Sequence, residues 1–390
     1  MSFWTEEKLF FDGDAYFGYL EALIRSAKRS IDIETYIWDD DAIGRRIADA
    51  LCAASRRGVN VRAMVDGMGS PQWGAVFLPH LRSSGVQARV YHPLPWQVLS
   101  KSLPAPETRR NKWTLLQWLV HVLFKVNVRD HRKVFVMDGE VACVGGINIS
   151  ANHSRSIKGP SAWRDTSVSV KGVDIAAILY AFEKAWLHAW DFTSRKPRWY
   201  NVRRLRRLKT ESRLVRVNHT LMRRRRTYRD LLRRLGHATQ RVWVTNAYFI
   251  PDGSLIRRLR RVAKKGVDVR ILVPRISDVF FVRWVSSAFY YALLKSGARI
   301  FEYEPRVLHA KTLLVDDWAV VGSSNLNHRS LFHDLEMDIE LTAIQSKRAM
   351  EQQYLEDIGQ SVEIKMKDWK ARPWTDKLLG QIFLLAKYWF

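Results

Sequence analysis

Two short stretches of this chain hold residue types that can act on a phosphate. In LHAKTLLVDDWAVVGSSN, which begins at Leu308, His309, Lys311 and Asp316 stand in the pattern H-x-K-x-x-x-x-D. HRKVFVMD repeats the pattern with His131, Lys133 and Asp138. Each copy is followed by a glycine-containing turn and an asparagine, Asn148 in the first and Asn325 in the second. On a strand, residues two apart point to the same side, so each histidine lies beside a fixed ammonium. The lysine neutralises phosphoryl oxygens, while the imidazole attacks phosphorus or gives a proton to a leaving oxygen.

One H-x-K on a strand is a common accident, but two with the same spacing are not. The elements that carry them repeat as well. Lys311 to Val315 is β-branched or apolar, Asp316-Asp317 is turn chemistry and Ala319 to Val321 is apolar again, which predicts a hairpin. Asp138-Gly139 supplies the equivalent turn in the first copy. Upstream, Asp14 to Ala27 has helical spacing of apolar residues, a strand follows over Ser30 to Trp38, and a helix ends at Gly58 before the strand Val59 to Val65. ATQRVWVTNAYFIPDG, SLIRRLRRVAKKG and VDVRILVP answer AKRSIDIETYIWDDD, AIGRRIADALCAASRRG and VNVRAMVD. GARIFEYEP likewise answers GVQARVYHP. The expected fold is α/β, with two α/β/α repeats related by a pseudo-twofold axis and one site shared where the hairpins meet. The expected divisions are a first repeat over 1–194 with an insertion at about 94–128, a basic connecting segment over 195–234, a second repeat over 235–365 and an amphipathic, membrane-associating tail over 366–390.

The insertion contains KWTLLQWLVHVLFKV, in which a helix puts Thr114, Gln117, His121 and Lys125 on one narrow polar stripe and apolar residues around the rest. Such a helix is either buried against its domain or interfacial, with Arg109, Arg110 and Lys112 toward anionic headgroups. The tail, with Leu378, Ile382, Leu385 and Trp389 at helical spacing, has the same two readings. A net charge of +25 predicts an anionic partner, and 16 tryptophans favour an anionic phospholipid surface over nucleic acid. Cys52 and Cys143 each lie in an apolar run, so no disulfide framework is expected and a reducing compartment is the simplest reading. The N-terminus lacks a basic region followed by an apolar one, and no apolar run is long enough to span a bilayer. The expected protein lies on a membrane rather than through it.

The paired motif resembles that of the phospholipase D superfamily. The resemblance implies that His131 is the nucleophile and His309 the acid and base, with Lys133, Lys311, Asn148 and Asn325 on the substrate phosphate. It also implies an acid downstream of each motif that holds the histidine of the other half: Glu336 in DLEMDIEL for His131 and Asp165 in WRDTSVSV for His309. Asp334 and Asp338 stand close enough to Glu336 to remain alternatives. Asp138 and Asp316 belong to the catalytic motif, yet their turn positions predict a structural task. No metal and no cofactor is expected, because the lysines and amides already counter phosphoryl charge.

ETYIWDDDAIG, VDGMGSP, NAYFIP and GSSNLNHRSLFHDLE extend the likeness to the bacterial cardiolipin synthases, in their shorter peripheral subgroup without paired N-terminal spans. That likeness implies phosphatidylglycerol as substrate, transfer of its phosphatidyl group to a second phosphatidylglycerol with release of glycerol, and a peripheral place on the cytoplasmic face of the inner membrane. A lipid hydrolase, or a nuclease or phosphodiesterase of the same fold, is the alternative. A nuclease has no evident use for a wide Leu/Trp/Phe helix beside the first motif. The sequence sets no oligomeric state.

Overall fold

The computed structural model describes residues 3–94, 128–189 and 211–385. The expected insertion helix from Lys112 to Lys125, residues 195–210 of the basic segment, and Trp389 in the tail lie outside that range.

The first half runs through β1 (Glu6–Phe10), α1 (Gly13–Ser26), β2 (Ser30–Thr35), α2 (Ala42–Arg56), β3 (Asn60–Asp66), α3 (Trp73–Ser83) and β4 (Gln87–Tyr91). The hairpin of β5 (Val134–Met137) and β6 (Val141–Gly145) follows, then β7 (Ser167–Lys171) and α4 (Ile175–His188). In the second half β8 (Val215–Val217), α5 (Leu221–His237), β9 (Arg241–Asn246), α6 (Gly253–Lys264) and β10 (Asp268–Pro274) repeat this order. Two short helices, α7 (Val282–Ser287) and α8 (Tyr290–Leu294), lead to β11 (Arg299–Tyr303) and the hairpin of β12 (Lys311–Val315) and β13 (Trp318–Gly322). The half closes with α9 (His328–Phe332), β14 (Met337–Leu341), α10 (Ile344–Gly359) and β15 (Ser361–Ile364), and the tail forms α11 (Met366–Ala371) and α12 (Trp374–Leu385).

Local chemistry explains the helix starts. Asp12, Asp41, Thr220 and Asp252 each accept an N–H of the first turn of α1, α2, α5 and α6. Behind those caps one face is apolar, as with Ile43, Ile47 and Leu51 in α2 or Leu255, Leu259 and Val262 in α6, and it packs on a sheet.

The sheets are ordered β1-β7-β6-β5-β2-β3-β4 and β15-β11-β10-β9-β12-β13-β14-β8. In each, three parallel strands adjoin an antiparallel hairpin. Between the sheets lies a shared core: Val134, Val136, Val144 and Val168 of the first meet Leu314, Val321, Met337 and Ile339 of the second. Strands buried on both faces read as near-continuous apolar runs, which is why VFVM and WAVVG alternate so little. The buried ion pair of Arg164 with Asp357 in α10 (2.7 Å) also joins the halves.

Two regions gain detail. The basic segment is not merely a connection. Its described part contains β8, which pairs with β14 as β1 pairs with β7, and most of α5, which answers α1. The arginine density of α5 masks its apolar face, since only Leu231 and Leu235 are buried leucines there. In the tail, α12 is a docked helix with an apolar outer side. Gly380 packs so closely that a Cβ would come 2.6 Å from the Trp284 carbonyl oxygen, Phe383 stacks on Trp284, and Trp284 Nε1 donates to Asp376. Trp374, Leu378, Ile382 and Leu385 remain exposed.

Candidate active site

The two histidines are pinned across the interface by main-chain bonds. His309 N–H donates to the Arg164 carbonyl (2.7 Å) and His131 N–H to the Leu335 carbonyl (3.0 Å), each within a short parallel bridge between halves. Such bonds contribute about 1 kcal/mol each, and here they also fix where each imidazole begins. Lys133 immediately precedes β5 and Lys311 opens β12, and both point back over their own motifs. Lys133 Nζ donates to the His131 carbonyl (2.6 Å) and Lys311 Nζ to that of His309.

Asp165 and Glu336 sit crosswise, at the starts of β7 and β14. Nδ1 of His309 lies 2.6 Å from Asp165 Oδ2. Lys311 Nζ is 2.9 Å from the same nitrogen, and one nitrogen cannot both donate to a carboxylate and accept from an ammonium. The shorter, charge-assisted contact decides the tautomer, so Nδ1 carries hydrogen and Nε2 is free. Burial opposes the charge of Asp165, but Lys311 and His309 outweigh it and hold the carboxyl well below the ordinary range. Glu336 differs. Its two oxygens lie 3.2 and 3.3 Å from His131 Nδ1, Ser323 donates to one of them, and burial lifts its carboxyl to about 7.

The imidazoles differ in the same way. Burial, then Lys133 and Lys311, pushes His131 well below the usual value, while for His309 burial and Lys311 are opposed by Asp165. His131 keeps 12% of its side-chain surface exposed and His309 only 4%. Burial, then Lys311, depresses Lys133 to about 7. Two lysines buried side by side are suited to receive an anion.

Asn148 and Asn325 follow the same logic. Asn148 Oδ1 accepts from Ile37 N–H and Asn325 Oδ1 from Tyr248 N–H, which leaves the amide hydrogens for another acceptor. Asp138 and Asp316 lie at the far ends of β5 and β12. Both have positive φ, and their carboxylates accept main-chain N–H groups, from Lys28, Arg29 and Ser30 in one turn and from Thr239, Gln240 and Arg241 in the other. Neither touches the histidines. Asp334 accepts from Arg129 N–H and Arg329, and Asp338 from Ser324, so neither alternative carboxylate contacts His131.

Several groups at the site carried no role in the sequence reading. Tyr36 lies tilted against His131 and Tyr248 meets His309 edge-on, with ring centroids 4.8 and 6.1 Å away. They occupy matching places in ETYIW and NAYFI, a signal that aligning the two repeats could have exposed. Trp163 lies 5.4 Å from the His309 ring. His153 is fully buried behind Asp165, and nothing in ISANHSR distinguishes it. His153, Asp165 and His309 hold ligand-type atoms within 4.8 Å of one another. Lys311 already supplies a positive charge beside that cluster.

Comparison with known proteins agrees with this geometry. The family described as "Cardiolipin synthase, PLD-like domain" matches residues 20–186 and 231–358. Cardiolipin synthase B of Escherichia coli (strain K12) is 33% identical over 330 residues, covering 84% of this chain and 74% of the relative. Cardiolipin synthase 1 of Bacillus cereus is 30% identical over 392 residues, covering 98% and 72%. Among solved structures, phosphatidylserine synthase of Haemophilus influenzae Rd KW20 superposes with a TM-score of 0.71 at 13% identity, over 100% of this chain and 97% of that one. Polyphosphate kinase of Porphyromonas gingivalis gives 0.60 at 14% identity over 98% and 53%, a likeness of fold. This chain belongs to the cardiolipin synthase family of phospholipase D-like enzymes.

Proposed function

We propose that the chain moves a phosphatidyl group from one phosphatidylglycerol to another through a phosphohistidine, releasing glycerol. His131 Nε2 attacks phosphorus, and His309 Nε2 gives its proton to the departing glycerol oxygen. His309 then takes the proton of the incoming hydroxyl, which attacks phosphorus and frees His131. Lys133, Lys311, Asn148 and Asn325 hold the phosphoryl oxygens. The asymmetry of the two pairs carries this assignment of roles. A neutral and more exposed His131 is fit to attack, and an ionised Asp165 on His309 stabilises the imidazolium that a proton donor must be.

The bilayer is the proposed partner. Among the described residues no helix is long and apolar enough to cross a membrane. The outer side of α12 presents Trp374, Leu378, Ile382 and Leu385, and exposed Phe280 touches Phe383 of the same helix. Two residues before Phe280, Asp278 accepts from the Tyr248 hydroxyl (2.6 Å), which links this apolar face to the ring beside His309. An apolar face so near the site suits an enzyme that draws lipids from a surface.

Purified protein on phosphatidylglycerol vesicles is the test. Cardiolipin and glycerol in equal amounts are expected. Phosphatidic acid with glycerol would make water the acceptor and the chain a hydrolase, and loss of activity on chelation, restored by a stoichiometric divalent ion, would overturn the two-histidine mechanism.

A further inference from the structure

We propose that His153 is a positioning residue for the Asp165–His309 pair, turning its Nδ1–H toward Asp165 and so lowering the proton affinity of His309. His153 is 1% exposed and its Nε2 accepts from the Asn148 main-chain N–H at 3.3 Å. That bond fixes the neutral tautomer: Nε2 is bare and Nδ1 carries hydrogen. Nδ1 makes no hydrogen bond, yet it lies 3.9 Å from Asp165 Oδ2, the oxygen that His309 Nδ1 contacts at 2.6 Å. A buried donor without a partner is costly, and here it stands beside the one carboxylate oxygen on which the proton donor depends.

The other half shows what such a position does. His153 lies five residues after Asn148, and Ser330 lies five residues after Asn325. Ser330 is buried, and its hydroxyl lies near enough to Glu336, the carboxylate that faces His131, to oppose the upward push of burial on it. The same place in each repeat therefore serves the carboxylate behind the opposite histidine, with a hydroxyl in one half and an imidazole in the other.

The groups that face His153 are Asp165, His309, Lys311 and Lys133, with the Trp163 ring 5.4 Å away. Burial keeps its pKa down at about 3, so it stays neutral and works as a hydrogen-bond donor rather than a second charge. When His309 is an imidazolium, Asp165 is paired with a cation. Once that proton leaves, the carboxylate keeps Lys311 nearby but faces a neutral ring at His309, and a donated Nδ1–H from His153 steadies it. His153 thus favours the state in which His309 has given its proton away. Its backbone is held for this by α1, where a Cβ on Gly13 would come 2.2 Å from the His153 carbonyl oxygen.

The activity part of the test rests on the phosphatidyl-transfer reading, and the spectroscopic part does not. In histidine-labelled full-length protein, 15N NMR should show His153 neutral with hydrogen on Nδ1 from pH 5 to 8. An Nε2–H tautomer, or a charged ring in that range, would overturn the proposal without any substitution. His153→Gln keeps an acceptor at the level of Nε2 but no donor at Nδ1, and should raise the His309 midpoint by about one pH unit. Its kcat should fall several-fold with KM little changed. His153→Asn, whose amide mimics the Nδ1 donor, should recover most of that shift. Equal midpoints in all three proteins, or equal shifts in both variants, would make His153 a packing residue only. If no cardiolipin forms, the NMR midpoints still decide the point.

Discussion

The two halves use the same H-x-K hairpin, yet they build unlike acid–imidazole pairs on it. Facing His309, Asp165 is held ionised at 2.6 Å; facing His131, Glu336 spreads over both oxygens at 3.2 and 3.3 Å with its carboxyl lifted to about 7. Two positions in the loops behind the carboxylates make the difference. Gly146 leaves room for Asp165, since a Cβ there would come 2.1 Å from Oδ1, whereas the equivalent Ser323 reaches out and donates to Glu336. Five residues beyond each asparagine, His153 and Ser330 differ again. The repeat supplies two hairpins with the same H-x-K start, and the surrounding loops give their histidines different proton affinities.

Removing the proposed proton donor should do the most damage after loss of the proposed nucleophile. His309→Ala is expected to lose about 10²- to 10⁴-fold in transfer from phosphatidylglycerol, the usual worth of general acid–base catalysis. A phosphatidyl donor with a nitrophenol leaving group should recover much of the first step, because that oxygen needs little protonation. An equal loss with both donors would remove His309 from the acid role.

The carboxylates offer the sharper contrast. Asp165→Asn keeps the shape but not the charge that supports an imidazolium, and a loss of the order of 10³-fold in kcat is expected. Glu336→Gln should cost clearly less, because a carboxyl lifted to about 7 is partly protonated in the parent at neutral pH. Steady-state rates at pH 7 check the ranking, and equal losses would break the comparison. Gly146→Ser, which copies the second half into the first, should cost roughly tenfold to a hundredfold by displacing Asp165. Parent-like rates there would mean that the loop has space the geometry denies.

A smaller effect concerns pH. Burial and Lys311 lower the Lys133 ammonium to about 7, so the charge is present below that value and lost as pH rises through it. Dimethyl phosphate carries one charge that does not titrate in this range. Its inhibition constant should be flat below pH 6 and rise up to tenfold per unit above about 7. An inhibition constant constant to pH 9 would place the Lys133 midpoint well above that value.

Much of this was legible in the chain. Both hairpins, the strand–helix–strand units and the α/β class follow from periodicity and turn residues, because the hairpin strands are short apolar runs punctuated by Asp138-Gly139 and Asp316-Asp317. The edges were not legible. β1 has the acidic sequence EEKLF and exists through its pairing with β7, and β8 has three residues and depends on β14. The identity of the residues behind the carboxylates was hidden for a related reason. His153 and Ser330 share a place but no residue type, and only tertiary packing brings each to its acid.

The central claim is that His131 of the first half carries the substrate while His309 of the second serves protons. Protein turning over phosphatidylglycerol, quenched with denaturant and digested at neutral to mildly alkaline pH, which preserves phosphoramidates, then mapped by mass spectrometry, tests it directly. The account predicts a phosphatidyl adduct on His131, absent from His131→Ala and accumulated in His309→Ala with a good leaving group. An adduct on His309, or one that persists in His131→Ala, would contradict it.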